Sequence, residues 1–155
     1  AECAAKGFEL RPYMALRTPD EQAALWRQSR ALEEIRARLD ELRSAGAHFL
    51  AACIERVGPK AGPHVTNAIP GLSWHQWGEA VDCVVIEGGK AIWDTKHAGW
   101  AAYTQAAKTA GLEAGGLWTK FKDFPHIQLR KAGSPLNIGM SIADVDKAMR
   151  ARWGA

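Results

Sequence analysis

The run Val81 to Ile86, set between Gly78 and Gly88-Gly89, constrains the fold more than any other feature of the chain. Side chains branched at Cβ are stiff and suit a pleated, half-buried surface. The run therefore predicts a strand beginning near Ala80, and Gly88-Gly89 predicts a turn into a second strand over Lys90 to Trp93. A lone hairpin is marginal in water, so the rest of the chain must supply further sheet partners and a covering layer.

Helices supply the cover. Thr18-Pro19-Asp20-Glu21 reads as an N-terminus: Thr at the N-cap, Pro where its missing N–H costs nothing, and Glu closing a capping box. The following helix carries an apolar stripe at Leu25, Leu32, Ile35, Leu39 and Leu42, with Glu33, Glu34, Arg36, Arg38 and Glu41 on the solvated side. At Ser44-Ala45-Gly46 the pattern either continues with a flaw or breaks into a second helix holding Phe49, Leu50, Cys53 and Ile54 and ending at Gly58-Pro59. Gly and Pro then mark a loop to Leu72, with a short extended piece at Val65 to Ala68. Trp100, Tyr103 and Ala107 define a helix over about 97 to 110, and His126 to Arg130 is extended. Ser141, with Asp144 at N3, caps a terminal helix bearing Val145, Ala148, Met149 and Trp153. This order predicts an α+β fold, a small mostly antiparallel sheet with helices packed against it, in a single domain over 1–155.

Composition excludes several function classes. A formal charge of +3, with Lys and Arg mixed among Glu and Asp, is too weak and too dispersed for a nucleic-acid face. No apolar run approaches the roughly 20 residues that span a bilayer. Cys3, Cys53 and Cys83 lack CxxC spacing and allow at most one internal disulfide. Cys83 alternates with Asp82 on the strand, so it is expected in the core and not beside that carboxylate. A monomer is expected.

The chemistry concentrates in two stretches: Ser73-Trp74-His75-Gln76-Trp77-Gly78-Glu79-Ala80-Val81-Asp82 and Asp123-Phe124-Pro125-His126-Ile127-Gln128. His75, Asp82 and His126 make a plausible open zinc site, in which three protein ligands leave a fourth position vacant. The vacancy decides the function: an open site lets the metal bring the pKa of water toward about 7 and polarise a carbonyl. Gly78 lets the chain turn between His75 and Asp82. In an extended segment His126 and Gln128 share a face while Ile127 and Leu129 take the other. Asp123 is the candidate general base, its alternative being a turn-forming surface residue. Trp74 and Trp77 flank His75 and either wall a cleft or pack the core. His48, His64 and His97 have no matching partners and are left outside the site.

These residues resemble the zinc D,D- and L,D-peptidases of the bacterial cell wall, the group of VanY-type D-alanyl-D-alanine carboxypeptidases and phage L-alanyl-D-glutamate endolysins. The pattern S-x-H-x-x-G-x-A-x-D is met at Ser73, His75, Gly78, Ala80 and Asp82. The second, D-x-P-H-x-Q of the endolysin branch, is met at Asp123, Pro125, His126 and Gln128. Val65-Thr66-Asn67-Ala68, Pro70-Gly71 and Arg17-Thr18 followed by Glu21-Gln22 also look like that branch. The resemblance implies a hedgehog/D,D-peptidase-like fold with Zn2+ on His75, Asp82 and His126, and Asp123 as base. It further implies Arg17 stabilising substrate or oxyanion, and Arg17, Ser73 and Gln128 meeting substrate. The substrate implied is a peptidoglycan stem peptide, cut between L-Ala and D-Glu, with D-alanyl-D-alanine carboxypeptidase activity or a non-catalytic zinc-containing binding module as alternatives. The place of action implied is periplasm or wall after export, or the wall attacked by a phage lysis enzyme. The helical stretch from about 30 to 56 is longer than such peptidases usually carry there and is expected to be an insertion.

Overall fold

The computed structural model describes residues 2–154. In chain order its elements are α1 (Glu2–Ala5), β1 (Glu9–Met14), α2 (Pro19–Arg27), α3 (Leu32–Ser44), α4 (His48–Arg56), β2 (Ala80–Glu87), β3 (Lys90–Ile92), α5 (Ala98–Thr109), β4 (Glu113–Ala114), β5 (His126–Gln128) and α6 (Ile142–Trp153). Short 3-10 turns lie at Trp74–Trp77, Gly115–Leu117 and Pro135–Ile138. The chain divides into two compact units, 1–16 with 78–131 and 17–77 with 132–155.

The first unit is the sheet with α1 and α5. Its strand order is β1-β2-β5-β4, and every pairing is antiparallel. The hairpin strand β3 joins β2 beyond the end of β5, since Val85 faces Ile92 and Asp82 faces His126. The expected α+β class is therefore the observed one. Cys83, Val84, Val85, Ile86, Trp100 and Tyr103 form its core. Cys83 is the core residue that strand alternation requires, and burial holds its thiol above the ordinary range.

In the second unit α2 and α3 pack on α4, and α4 packs on α6. Ile35, Leu39, Leu42, Leu50, Ile54, Val145 and Met149 lie in one core, so the two helices found within 30–56 carry much of the unit's apolar burial. Here the sequence reading needs correction. The stripe from Leu25 to Leu42 does not lie on one helix: Gln28 leaves helical geometry with ψ 135 and Ser29 takes φ 64. Leu32, assigned to that stripe, is 54% exposed. The break is stabilised by Arg30, whose guanidinium lies 4.4 Å over the Trp26 ring and donates to the Trp26 and Thr66 carbonyls. An orphan carbonyl at the end of α2 thus finds a donor. Val65 to Ala68 forms no strand.

Both predicted capping boxes are present, Thr18 with Glu21 and Ser141 with Asp144. Helix α4 begins at Ala47, which has no side chain to cap it. Asp146 of α6 substitutes, its Oδ1 accepting from the Leu50 N–H at 2.8 Å in a buried setting. Asp146→Ala is expected to cost about 1–3 kcal/mol, because a buried N–H loses its acceptor. Urea denaturation measures this, with the midpoint moving and the slope unchanged.

Candidate metal centre

Asp82 and His126 stand opposite one another in the β2–β5 register, so their side chains share one face of the sheet. His126 Nδ1 lies 3.0 Å from Asp82 Oδ1, and both residues are buried, at 7 and 8% exposure. The other ring nitrogen, Nε2, lies 3.0 Å from Gln128 Oε1. The amide nitrogen of Gln128 donates to the Arg130 carbonyl, which fixes the amide's oxygen end toward His126. Nε2 therefore carries the hydrogen, and Nδ1 is the nitrogen turned to the carboxylate. A neutral ring in that tautomer would aim a lone pair at a negative oxygen, so the pair calls for a cation between them, a proton or a metal ion.

The charges around His126 act in the same direction. Burial alone would lower its pKa, but the hydrogen bonds to Asp82 and Gln128 and the charges of Asp82 and Asp123 outweigh burial and hold it above the usual value. An imidazole and a carboxylate at 3.0 Å need only a small spread to take adjacent corners of a tetrahedral zinc set, whose bonds of about 2.0–2.2 Å put donor atoms about 3.3–3.6 Å apart.

Asp123 belongs to the same unit. Its carbonyl accepts from the His126 N–H at 3.2 Å and its own N–H donates to Gly115 at 3.1 Å. Glycine at 115 is required by this approach, since a Cβ there would sit 2.3 Å from the Asp123 oxygen. The Trp118 ring packs on the His126 ring, centroids 5.2 Å apart, with its indole N–H on Glu113. No motif singled out Trp118 or Gly115. Gln128, expected to meet substrate, is 4% exposed with both ends of its amide engaged. Its amide oxygen lies on the His126 ring.

The remaining predicted residues lie in the second unit. His75 is 2% exposed in the 3-10 turn that Ser73 opens by accepting from the Gln76 N–H at 3.1 Å. The His75 carbonyl accepts from the Arg17 N–H at 3.3 Å. Two fully buried amides tie these segments together. Gln22 Oε1 accepts from the Arg17 guanidinium and from Gln76 Nε2, each at 2.9 Å. Gln22 Nε2 donates to the Ala68 carbonyl at 2.7 Å, and Gln76 Oε1 accepts from Gly71 N–H at 2.6 Å. The signal for this network was available: Gln22 lies on the inward face of α2 beside Ala23 and Trp26, where an amide must find partners. Trp74 is buried with its indole on the Ala132 carbonyl, and Trp77 donates to Gly71, so both indoles are held by their own unit. Gly78 takes φ 73, as the turn into β2 requires.

Residues 66–129, which hold both motifs, match the model of a family described as D-alanyl-D-alanine carboxypeptidase. The resemblance to the cell-wall D,D- and L,D-peptidases holds over that stretch. The chain is also 38% identical over 78 residues to the peptidoglycan L-alanyl-D-glutamate endopeptidase CwlK of Bacillus subtilis, a match covering 45% of this chain and 47% of that protein. It thus spans about half the length of this curated relative. Among solved structures it is similar to the L-Ala D-Glu endopeptidase ChiX of Serratia marcescens, with 24% identity, a TM-score of 0.42, and 79% of this chain and 68% of that one covered. No helix of the described residues is long and apolar enough to cross a membrane.

Proposed function

We propose that this chain hydrolyses an amide bond in peptidoglycan stem peptides, with zinc held by His75, Asp82 and His126, and that the bond cut joins L-Ala to D-Glu. The observation that carries the reading is the buried Asp82–His126 pair, whose Nδ1 faces a carboxylate while Gln128 holds Nε2. The motif spacing adds His75, only seven positions before Asp82 with Gly78 between.

When bound, zinc supplies a Lewis acid that acidifies water and polarises the scissile carbonyl. The chain's own residues do the rest. The Asp123 carboxylate takes a proton from the attacking water as its oxygen bonds to the carbonyl carbon. It returns that proton to the amine nitrogen as the C–N bond breaks, so atoms and charge balance. Arg17, its guanidinium anchored by Gln22, offsets the negative charge developing on the carbonyl oxygen. The chain would act on the wall, after export or as a phage lysis enzyme.

The name of the Bacillus relative favours the L-alanyl-D-glutamate bond, whereas the family description favours release of D-Ala. Mass spectrometry of digested muropeptides separates them. A new amino terminus on D-Glu is the expected product. Free D-Ala would assign carboxypeptidase activity, and intact muropeptides with a zinc-loaded protein would reject both.

A further inference from the structure

Two large aromatic residues, Tyr13 and Trp93, stand half in solvent at 51 and 58% exposure, and they touch each other edge to face with ring centroids 5.6 Å apart. Strand geometry fixes where they point. The β1–β2 register slips between Pro12 and Met14, making Tyr13 the extra residue of a bulge, and such bulges re-aim side chains near active sites. Trp93 follows Ile92, which pairs with Val85 and packs in the core with it. Trp93 lies one step past the end of β3, where continued alternation sets it toward the face of Val84 and Asp82. Tyr13 and Trp93 thus meet although they come from the strands on the two edges of β2. Asp82 is two residues from Val84 along the same face, at about 7 Å of strand rise.

We propose that Tyr13 and Trp93 form a docking platform for the amino-sugar ring to which the stem peptide is attached. The proposal rests on the peptidase reading above. In an L-Ala–D-Glu substrate a single residue, spanning about 3.5 Å, separates the cleaved amide from the sugar-bearing lactyl group. With the amide at Asp82 and His126, a sugar ring falls at the distance of the aromatic pair. The flat apolar faces of Tyr and Trp suit the C–H face of a pyranose.

The test compares a disaccharide-bearing muropeptide with the same stem peptide lacking sugar, using zinc-loaded protein. The wild type is expected to favour the glycan-bearing substrate about tenfold, mainly through KM. Trp93→Ala should erase that preference, and Trp93→Phe, which keeps a ring face, should retain most of it. Equal slowing on both substrates in Trp93→Ala, or no preference in the wild type, overturns the platform. If the wild type cleaves neither substrate, the peptidase reading fails, and direct binding still judges the platform. In NMR titration with N-acetylglucosaminyl-N-acetylmuramic acid, the indole resonance missing from Trp93→Ala identifies Trp93. Its movement with sugar supports the platform, and its constancy at millimolar sugar overturns it.

Discussion

Asp123→Ala is expected to lower hydrolysis of wall peptides by about 10²–10⁴-fold, the range spanned by a positioned acid–base group, while zinc stays bound. The loss should fall on kcat, because a group that moves a proton in the transition state adds little to substrate affinity. Asp123→Asn should behave alike, since an amide of the same shape cannot take the proton. This prediction also separates an enzyme from a zinc-containing binding module. In a module, removal of Asp123 would leave ligand affinity intact and there would be no rate to lose. The structure limits how the variant can mislead. The Asp123 backbone acceptor for the His126 N–H and its backbone donor to Gly115 both survive truncation of the side chain.

The second large effect concerns the ligands. Asp82→Ala and His126→Ala should each remove stoichiometric zinc and hydrolysis together, whereas Gln128→Ala should lower zinc affinity by only about 10–100-fold, the usual cost of losing a group that orients a ligand. Competition with a chromophoric chelator measures all three. Gln128→Ala frees the Nε2 hydrogen and lets the His126 ring exchange tautomers, so the affinity loss is expected even though Gln128 need not touch the ion. Retention of tight zinc by His126→Ala would place the metal elsewhere.

What could be read from sequence, and what could not, follows from where the physical signal is local. Strand β2, the hairpin into β3, helix α5 and the capped helix α6 were legible because branched residues, Gly-Gly and capping boxes act within a few positions. Strand β1 was not foreseen. Glu9 to Met14 shows no apolar alternation, contains Pro12, and lies on the edge of the sheet, where a missing N–H is tolerated and one side of the ladder stays open. The two-residue β4 has too little sequence to signal anything, being defined by its partner β5. The helix break at Gln28 to Ala31 was hidden because the leucine spacing fits a continuous helix, while the break depends on Arg30 reaching the distant Thr66 carbonyl. At the site the pairing of Asp82 with His126 was legible from motif spacing. The bond between the buried amides of Gln22 and Gln76 was not, since it joins residues 54 positions apart.

X-ray absorption at the zinc edge, on protein loaded and then freed of excess metal, tests the central claim most directly. One ion per chain is expected, with nitrogen and oxygen neighbours at about 2.0–2.2 Å, the multiple-scattering pattern of two imidazoles, and no sulfur. A thiolate shell at about 2.3 Å, or failure to retain zinc at one per chain, would contradict it.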